Sequence, residues 1–320
     1  MTRIRSLSAY LLPLAALLAC AGPIAATAQS TPLLERREVR ADGHPLTVWS
    51  KRPPTQARGS ILLLHGRTWS ARPNFDLRVP GLPVSLMDAL VARGYAVYAL
   101  DQRGYGGTPR DTSGWLTPDR AERDVSIVLD WVAQRQSRLP LRPKRPALLG
   151  YSRGSQVAML VAQRHPEKLS ALVLYGYPQP PGGVPVVAEP ASPPRQHTTA
   201  AAAGEDFITP VATPPGVKEA YVRMATSTDS IRVDWRMESE FSAIDPRQVR
   251  VPTLLLDGER DPYANAAGHP AFFARLGAAD RWWVVLPGVD HAAHLETQGA
   301  FVNALFGFLD RRMERQGGAR

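Results

Sequence analysis

Apolar and polar positions follow three rhythms along the 320 residues. Residues 34–52 alternate loosely about Asp42-Gly43, a pair that accepts left-handed backbone, and predict an opening β-hairpin. Ser60 to Leu64 is a continuous apolar run, the pattern of a strand buried on both faces. Further strands are expected over Tyr95 to Leu100, Ala147 to Leu149, Leu169 to Leu174, Thr253 to Asp257 and Arg281 to Leu286. Between them the spacing turns helical. One stretch carries Leu86, Leu90 and Val91; another begins at Thr117-Pro118, with Asp119 and Glu122 in its first turn and Ile127, Val128, Trp131 and Val132 as its stripe. Val157, Leu160 and Val161 mark a third, and helices are expected from about Ala264 to Leu276 and from about Thr297 to Met313. Strands alternating with helices predict an α/β protein built on a mostly parallel, doubly wound sheet.

That rhythm stops between Pro178 and about Ile244. Pro178 to Pro194 is dense in proline and glycine, Ala200 to Ala203 is low in complexity, and Val217 to Met224 and Ile231 to Glu240 read as helical. Tyr221, Trp235 and Phe241 are aromatics that a linker rarely carries. The expectation is a core of residues 29–177 and 245–320, with 178–244 inserted as a cap over the carboxyl ends of the strands.

The first residues read as a targeting leader. Thr2-Arg3-Ile4-Arg5 is basic, Leu11 to Ala19 is apolar, and Ala26-Thr27-Ala28 offers a cleavage site before Gln29, so residues 1–28 are expected to be an export signal. Leu17-Leu18-Ala19-Cys20 also resembles a bacterial lipoprotein box, which would anchor the protein to a membrane through acylated Cys20. Either route takes the protein out of the cytoplasm, as a periplasmic, secreted or lipid-anchored species. Cys20 is the single cysteine, which excludes a disulfide within the chain. The formal charge of +9 includes Arg3 and Arg5, so loss of residues 1–28, which hold no acid, leaves +7. The arginines are spread without runs and only four lysines occur, so no nucleic-acid partner is expected.

Candidate chemistry centres on Gly150-Tyr151-Ser152-Arg153-Gly154, which follows a predicted strand and opens a predicted helix. In that context G-x-S-x-G places a serine on a sharp turn at the end of a sheet, with small neighbours where strand and helix cross. A serine hydroxyl is barely acidic at neutral pH. It needs an imidazole to take its proton and a carboxylate to hold that imidazole in one tautomer. His269, His291 and His294 lie late in the chain, and Asp257, Glu259 and Asp261 cluster in one loop. No H-x-H or H-E-x-x-H spacing occurs, and Gly104-Tyr105-Gly106 lacks the rest of a dinucleotide fingerprint, so no metal and no cofactor are expected.

The order of motifs is itself informative: strand then His65-Gly66, strand then Asp101-Gln102-Arg103-Gly104-Tyr105-Gly106, the serine turn, the break, strand then Gly258-Glu259-Arg260-Asp261, and strand then Pro287-Gly288-Val289-Asp290-His291. It resembles the α/β-hydrolase superfamily over roughly residues 34–315, with nothing matched in the cap. The resemblance implies an α/β-hydrolase fold and a serine–acid–histidine order along the chain. Carried onto this sequence, it makes Ser152 the nucleophile, Asp261 the acid and His291 the base. It gives the backbone N–H groups of Arg67 and Arg153 as the oxyanion donors. Some relatives place the acid after the preceding strand, but Tyr175-Gly176-Tyr177-Pro178 offers no carboxylate there. His269, before Pro270, is expected at the surface; His65 is expected as a structural loop residue, Asp290 as a loop residue, and Asp101 with Arg103 as braces of a tight turn. The Arg67 and Arg153 side chains have two readings, attraction of an anionic substrate group or pairing with acids.

The resulting expectation is an exported serine hydrolase that cleaves small carboxylic esters through an acyl-enzyme, with Trp69, Phe207 and Trp235 lining its pocket. Haloalkane dehalogenases and epoxide hydrolases of this fold carry an aspartate where Ser152 stands. The alternatives are an aminopeptidase of the proline-iminopeptidase type, a perhydrolase or a carbon–carbon bond hydrolase on the same three residues, and a non-catalytic binding protein. Proline iminopeptidases usually carry H-G-G-P-G where this chain has His65-Gly66-Arg67-Thr68-Trp69, together with acids in the cap for a free amine.

Overall fold

The computed structural model describes residues 32–137, 145–178, 189–264 and 267–317. The leader read over residues 1–28, Cys20 and part of the Pro178 to Pro194 stretch lie outside them. In chain order come strands β1 (Glu35–Ala41), β2 (His44–Lys51) and β3 (Gly59–Leu64), helices α1 (Ala71–Phe75) and α2 (Leu86–Ala92), strands β4 (Tyr95–Asp101) and β5 (Trp115–Leu116), and helix α3 (Pro118–Ser137). There follow β6 (Ala147–Tyr151), α4 (Arg153–Arg164), β7 (Ala171–Tyr175), α5 (Ala200–Ala203), α6 (Val217–Thr228) and β8 (Asp234–Trp235). The chain closes with β9 (Thr253–Gly258), α7 (His269–Arg275), β10 (Arg281–Leu286), α8 (Ala293–Glu296) and α9 (Gln298–Gly317).

The main sheet runs β1-β2-β4-β3-β6-β7-β9-β10. The β1–β2 hairpin turns through Asp42 and Gly43, both at positive φ, and β2 is also antiparallel to β4. All the remaining pairings are parallel. Strand β3 shows why its sequence is apolar throughout: successive side chains leave a strand on opposite faces. Ile61 and Leu63 pack with Phe75, Leu90 and Phe301 from α1, α2 and α9, while Leu62 and Leu64 pack with Val128, Val157 and Val161 from α3 and α4.

The described part of 178–244 forms no independent core. Its Phe207, Val217 and Tyr221 close a third cluster with Trp69 and Leu77 on one side and Ala292 and Leu295 on the other. The expected helix over Ile231 to Glu240 is not formed. Asp234 and Trp235 pair in parallel with Trp115 and Leu116, and Met237 at φ 54 interrupts the path before a short 3₁₀ helix over Glu238–Ala243. An available strand edge outweighs a weak local helical preference here. Among the described residues no helix is long and apolar enough to cross a membrane.

Candidate active site

Strand β6 and helix α4 meet at Ser152, whose backbone sits at φ 53 and ψ −123, a strained region for a non-glycine residue. The N–H of Ser152 donates to the Tyr175 carbonyl at 2.8 Å, tying the turn to β7. The flanking glycines are required by close approach. A Cβ on Gly150 would lie 2.4 Å from the Gly154 carbonyl oxygen, and one on Gly154 would lie 2.4 Å from that of His65.

His291 leaves the loop after β10 and places Nδ1 2.7 Å from Oδ2 of Asp261. The other carboxylate oxygen of Asp261 accepts from the N–H groups of Tyr263 and Ala264, at 2.9 and 3.2 Å. The carboxylate therefore holds the proton of His291 on Nδ1 and leaves Nε2 as the acceptor. The ring is flanked by Tyr151 and Tyr263, each with centroid 4.8 Å away. Burial pushes the imidazole pKa down. The hydrogen bond and charge of Asp261, with the charges of Asp206 and Asp290, outweigh burial and raise it above 6.5.

Ser152 and His291 line one cavity of about 280 Å³. Its wall also includes Gly66, Arg67, Trp69 and Tyr151 from the core, and Gln196 to Thr199, Glu205, Asp206 and Arg232 from the 178–244 segment. Trp69 lies on this wall. Phe207 and Trp235 do not line this cavity. Phe207 packs edge-on against Tyr221 at 5.2 Å, and Trp235 donates its indole N–H to the Tyr105 hydroxyl at 2.9 Å while lying against Phe241. Both are large apolar groups held in clusters beneath the segment, which is where burial is most favourable for them.

His65 is buried, and burial lowers its pKa to about 4. Its Nε2 accepts from the Gln102 N–H at 3.1 Å, so Nδ1 carries the proton and donates to the Gly66 carbonyl at 2.8 Å. In a trans peptide C=O and N–H point oppositely, so this bond fixes the direction of the Arg67 N–H. A Cβ on Gly66 would fall 2.8 Å from Cβ of Ser152, which puts that peptide directly against the serine. Arg153 is the first residue of α4, where no intrahelical acceptor exists for its N–H.

The two arginine side chains pair with an acid. Arg67 donates to Oε1 of Glu238 at 2.9 Å, and Arg153 meets Oε2 of the same residue at 2.7 Å.

His294, the other late histidine beside His291, is buried, and burial lowers its pKa to about 3. Its Nδ1 lies 3.0 Å from the Tyr175 hydroxyl, which donates to the His291 carbonyl at 2.5 Å. His269 is not at the surface. It is fully buried, with Nδ1 2.8 Å from Asp257 Oδ2 and Nε2 3.0 Å from the Tyr177 carbonyl. Pro270 lies in the first turn of α7, where a missing N–H is tolerated, and is itself exposed while His269 beside it points inward. Asp290 does more than occupy a loop: its Oδ2 accepts from the N–H groups of Ile208 and Thr209, pinning the 178–244 segment beside His291. Asp101 accepts from Trp49 Nε1, Ala71 N and Gly107 N, and Arg103 is bidentate to Asp124, so both brace the turn between them. Glu205, Asp206, Glu238 and Tyr263 had no motif to mark them. Tyr263 alone had a positional signal, two residues beyond Asp261. Among the described residues no group of three or more histidine, cysteine or acidic side chains could hold a metal ion.

A family model described as "Alpha/beta hydrolase family" matches residues 61–305. Among curated proteins, 2-hydroxy-6-oxo-6-(2'-aminophenyl)hexa-2,4-dienoic acid hydrolase of Metapseudomonas resinovorans is 26% identical over 239 residues, spanning 70% of this chain and 77% of that protein. Among solved structures, a serine hydrolase involved in carbazole degradation superposes with a TM-score of 0.60 at 20% identity, covering 87% of this chain and 100% of that one. A thioesterase domain from the curacin biosynthetic pathway gives 0.59 at 18% identity, covering 85% and 99%. At such identities the superpositions establish the shared fold.

Proposed function

The chain belongs to the alpha/beta hydrolase family and is a hydrolase, and we propose that it is an exported serine hydrolase of small, uncharged carboxylic esters. The observation that carries this reading is the hydrogen bond between His291 Nδ1 and Asp261, with His291 on the same cavity wall as Ser152. His291 Nε2 takes the proton as Ser152 Oγ attacks the ester carbonyl, and the oxyanion lies against the N–H groups of Arg67 and Arg153. Collapse breaks the C–O bond, and the alcohol leaves with the proton from His291. Water then attacks the acyl-serine, again giving its proton to His291, and the acid departs as Ser152 recovers its hydrogen. Residues 178–244 serve as the cap that closes this chamber, and residues 1–28 direct export.

Preference for an uncharged substrate follows from the charges around the chamber. Arg67 is already paired with Glu238, while Glu205 and Asp206 line the wall, with Arg232 as the further arginine among the described residues there. An acid such as the relative's name describes would meet like charge. The same two carboxylates favour a second reading, a substrate bearing an amine in the manner of an aminopeptidase.

The test is a panel of short 4-nitrophenyl esters and aminoacyl 4-nitroanilides, with labelling by a fluorophosphonate. Wild-type protein hydrolyses the esters and is labelled, and Ser152→Ala loses both. Retention of either by Ser152→Ala refutes the assignment, and anilide turnover above ester turnover selects the second reading.

A further inference from the structure

We propose that Glu238 is a positioning residue for the oxyanion donors, holding the N–H groups of Arg67 and Arg153 in register through their own side chains. This rests on the serine-hydrolase reading above. The two peptides come from distant places in the sequence, the loop after β3 and the start of α4, and each is followed directly by an arginine side chain. Left alone, those two guanidinium groups repel each other beside the positive end of α4. Glu238 lies between them with one oxygen for each, at 2.9 and 2.7 Å. Burial and the charge of Arg67 act to lower the Arg153 pKa, and Glu238 is the largest influence raising it.

The carboxylate is itself held firmly. Glu238 belongs to the 3₁₀ helix Glu238–Ala243, whose Phe241 ring lies 5.1 Å beneath the Arg153 guanidinium. Glu240 accepts from the N–H of Asp119 at 2.8 Å, and the Ala243 carbonyl accepts from Gln163 of α4 at 3.0 Å. One short helix of the inserted segment is thus tied to α3 and to α4, and reaches the loop after β3 through the Glu238–Arg67 pair. Removing the charge at 238 leaves two arginines pushing apart the peptides that must converge on one oxygen. Oxyanion stabilisation depends on donors fixed before the reaction begins, so the loss falls on the tetrahedral state and spares ground-state binding.

The experiment compares wild type with Glu238→Gln, Arg67→Gln and the Glu238→Gln/Arg67→Gln double variant. Each is measured for kcat and KM on a short 4-nitrophenyl ester, for the rate of fluorophosphonate labelling, and for inhibition by a trifluoromethyl ketone. Glu238→Gln is expected to lower kcat, labelling rate and ketone affinity together by roughly 10- to 100-fold, with KM nearly unchanged. The double variant, freed of the repulsion, recovers most of that loss, which a merely destabilised cap would not do. Should Glu238→Gln fail to fold, Glu238→Asp, which keeps the charge but shortens its reach to the two guanidinium groups, decides: kcat and labelling rate are expected to fall by roughly tenfold with KM nearly unchanged, and a loss under about twofold overturns the inference. Wild type that labels, with Glu238→Gln within twofold of it or a double variant no better than Glu238→Gln, overturns this inference alone. Wild type that neither labels nor turns over brings down the hydrolase assignment and this inference with it.

Discussion

Gly176 follows β7 with φ +55 and lies against the imidazole of His291. A Cβ there would stand 2.8 Å from His291 Cε1, 2.9 Å from Nδ1 and 3.2 Å from Asp261 Oδ2. Gly176→Ala therefore forces the ring to recede by at least about 0.6 Å to reach ordinary contact at 3.4 Å. The ring is confined by Tyr151 and Tyr263, so it moves as a unit with its Asp261 bond or breaks that bond. A displacement near 1 Å at a reacting group costs on the order of 10²-fold in rate. The left-handed backbone adds about 1–2 kcal/mol of destabilisation for alanine. Gly43→Ala supplies the control, since Gly43 has φ +78 and open space where its Cβ would go. Both variants should fall in urea midpoint, Gly176→Ala further because its Cβ also overpacks the buried ring, while only Gly176→Ala loses about 100-fold in kcat on a 4-nitrophenyl ester. If Gly176→Ala keeps kcat within about threefold of Gly43→Ala, the placement of His291 as the proton carrier is refuted.

Two pH effects follow from the charges near the site. Because Asp261, Asp206 and Asp290 raise the His291 pKa, and only neutral imidazole accepts the serine proton, kcat/KM should rise with pH along a limb whose midpoint lies above 6.5. Asp206→Asn removes one of those charges and shifts the midpoint to lower pH; an unmoved midpoint in a pH–rate profile removes Asp206 from this account. Glu296 is pushed up to about 7, first by burial and also by the neighbouring Asp290 charge. A carboxyl raised in the folded state gives stability that is complete below its unfolded pKa near 4.5 and is lost as pH climbs through 7. Glu296→Gln, which mimics the protonated form, should raise the thermal midpoint relative to wild type more at pH 8 than at pH 5. Equal shifts at both pH values in differential scanning fluorimetry would contradict the buried protonation.

Much of this architecture was legible because burial leaves a simple imprint. Strands covered on both faces, such as Ile61 to Leu64, must be apolar without a break, and helices covering them must repeat at helical spacing. The serine turn was equally legible, since crossing of β6 and α4 tolerates only glycine at 150 and 154. Errors arose where a residue's environment comes from elsewhere in the chain. His269 beside a proline looks like a surface residue until Asp257 and the Tyr177 carbonyl are brought to its two nitrogens. Residues 234–235 look helical until Trp115 and Leu116 present an edge.

By itself, the sequence determined the α/β layering and the turn at Ser152. Each is dictated by local sterics or by a periodicity that any buried element must obey. Tertiary structure alone decided that Glu238 bridges Arg67 and Arg153, that Glu205 and Asp206 face the chamber, and that Phe207 and Trp235 do not line it. Those outcomes depend on charge and packing between residues far apart in the chain, and such pairings leave no spacing to read.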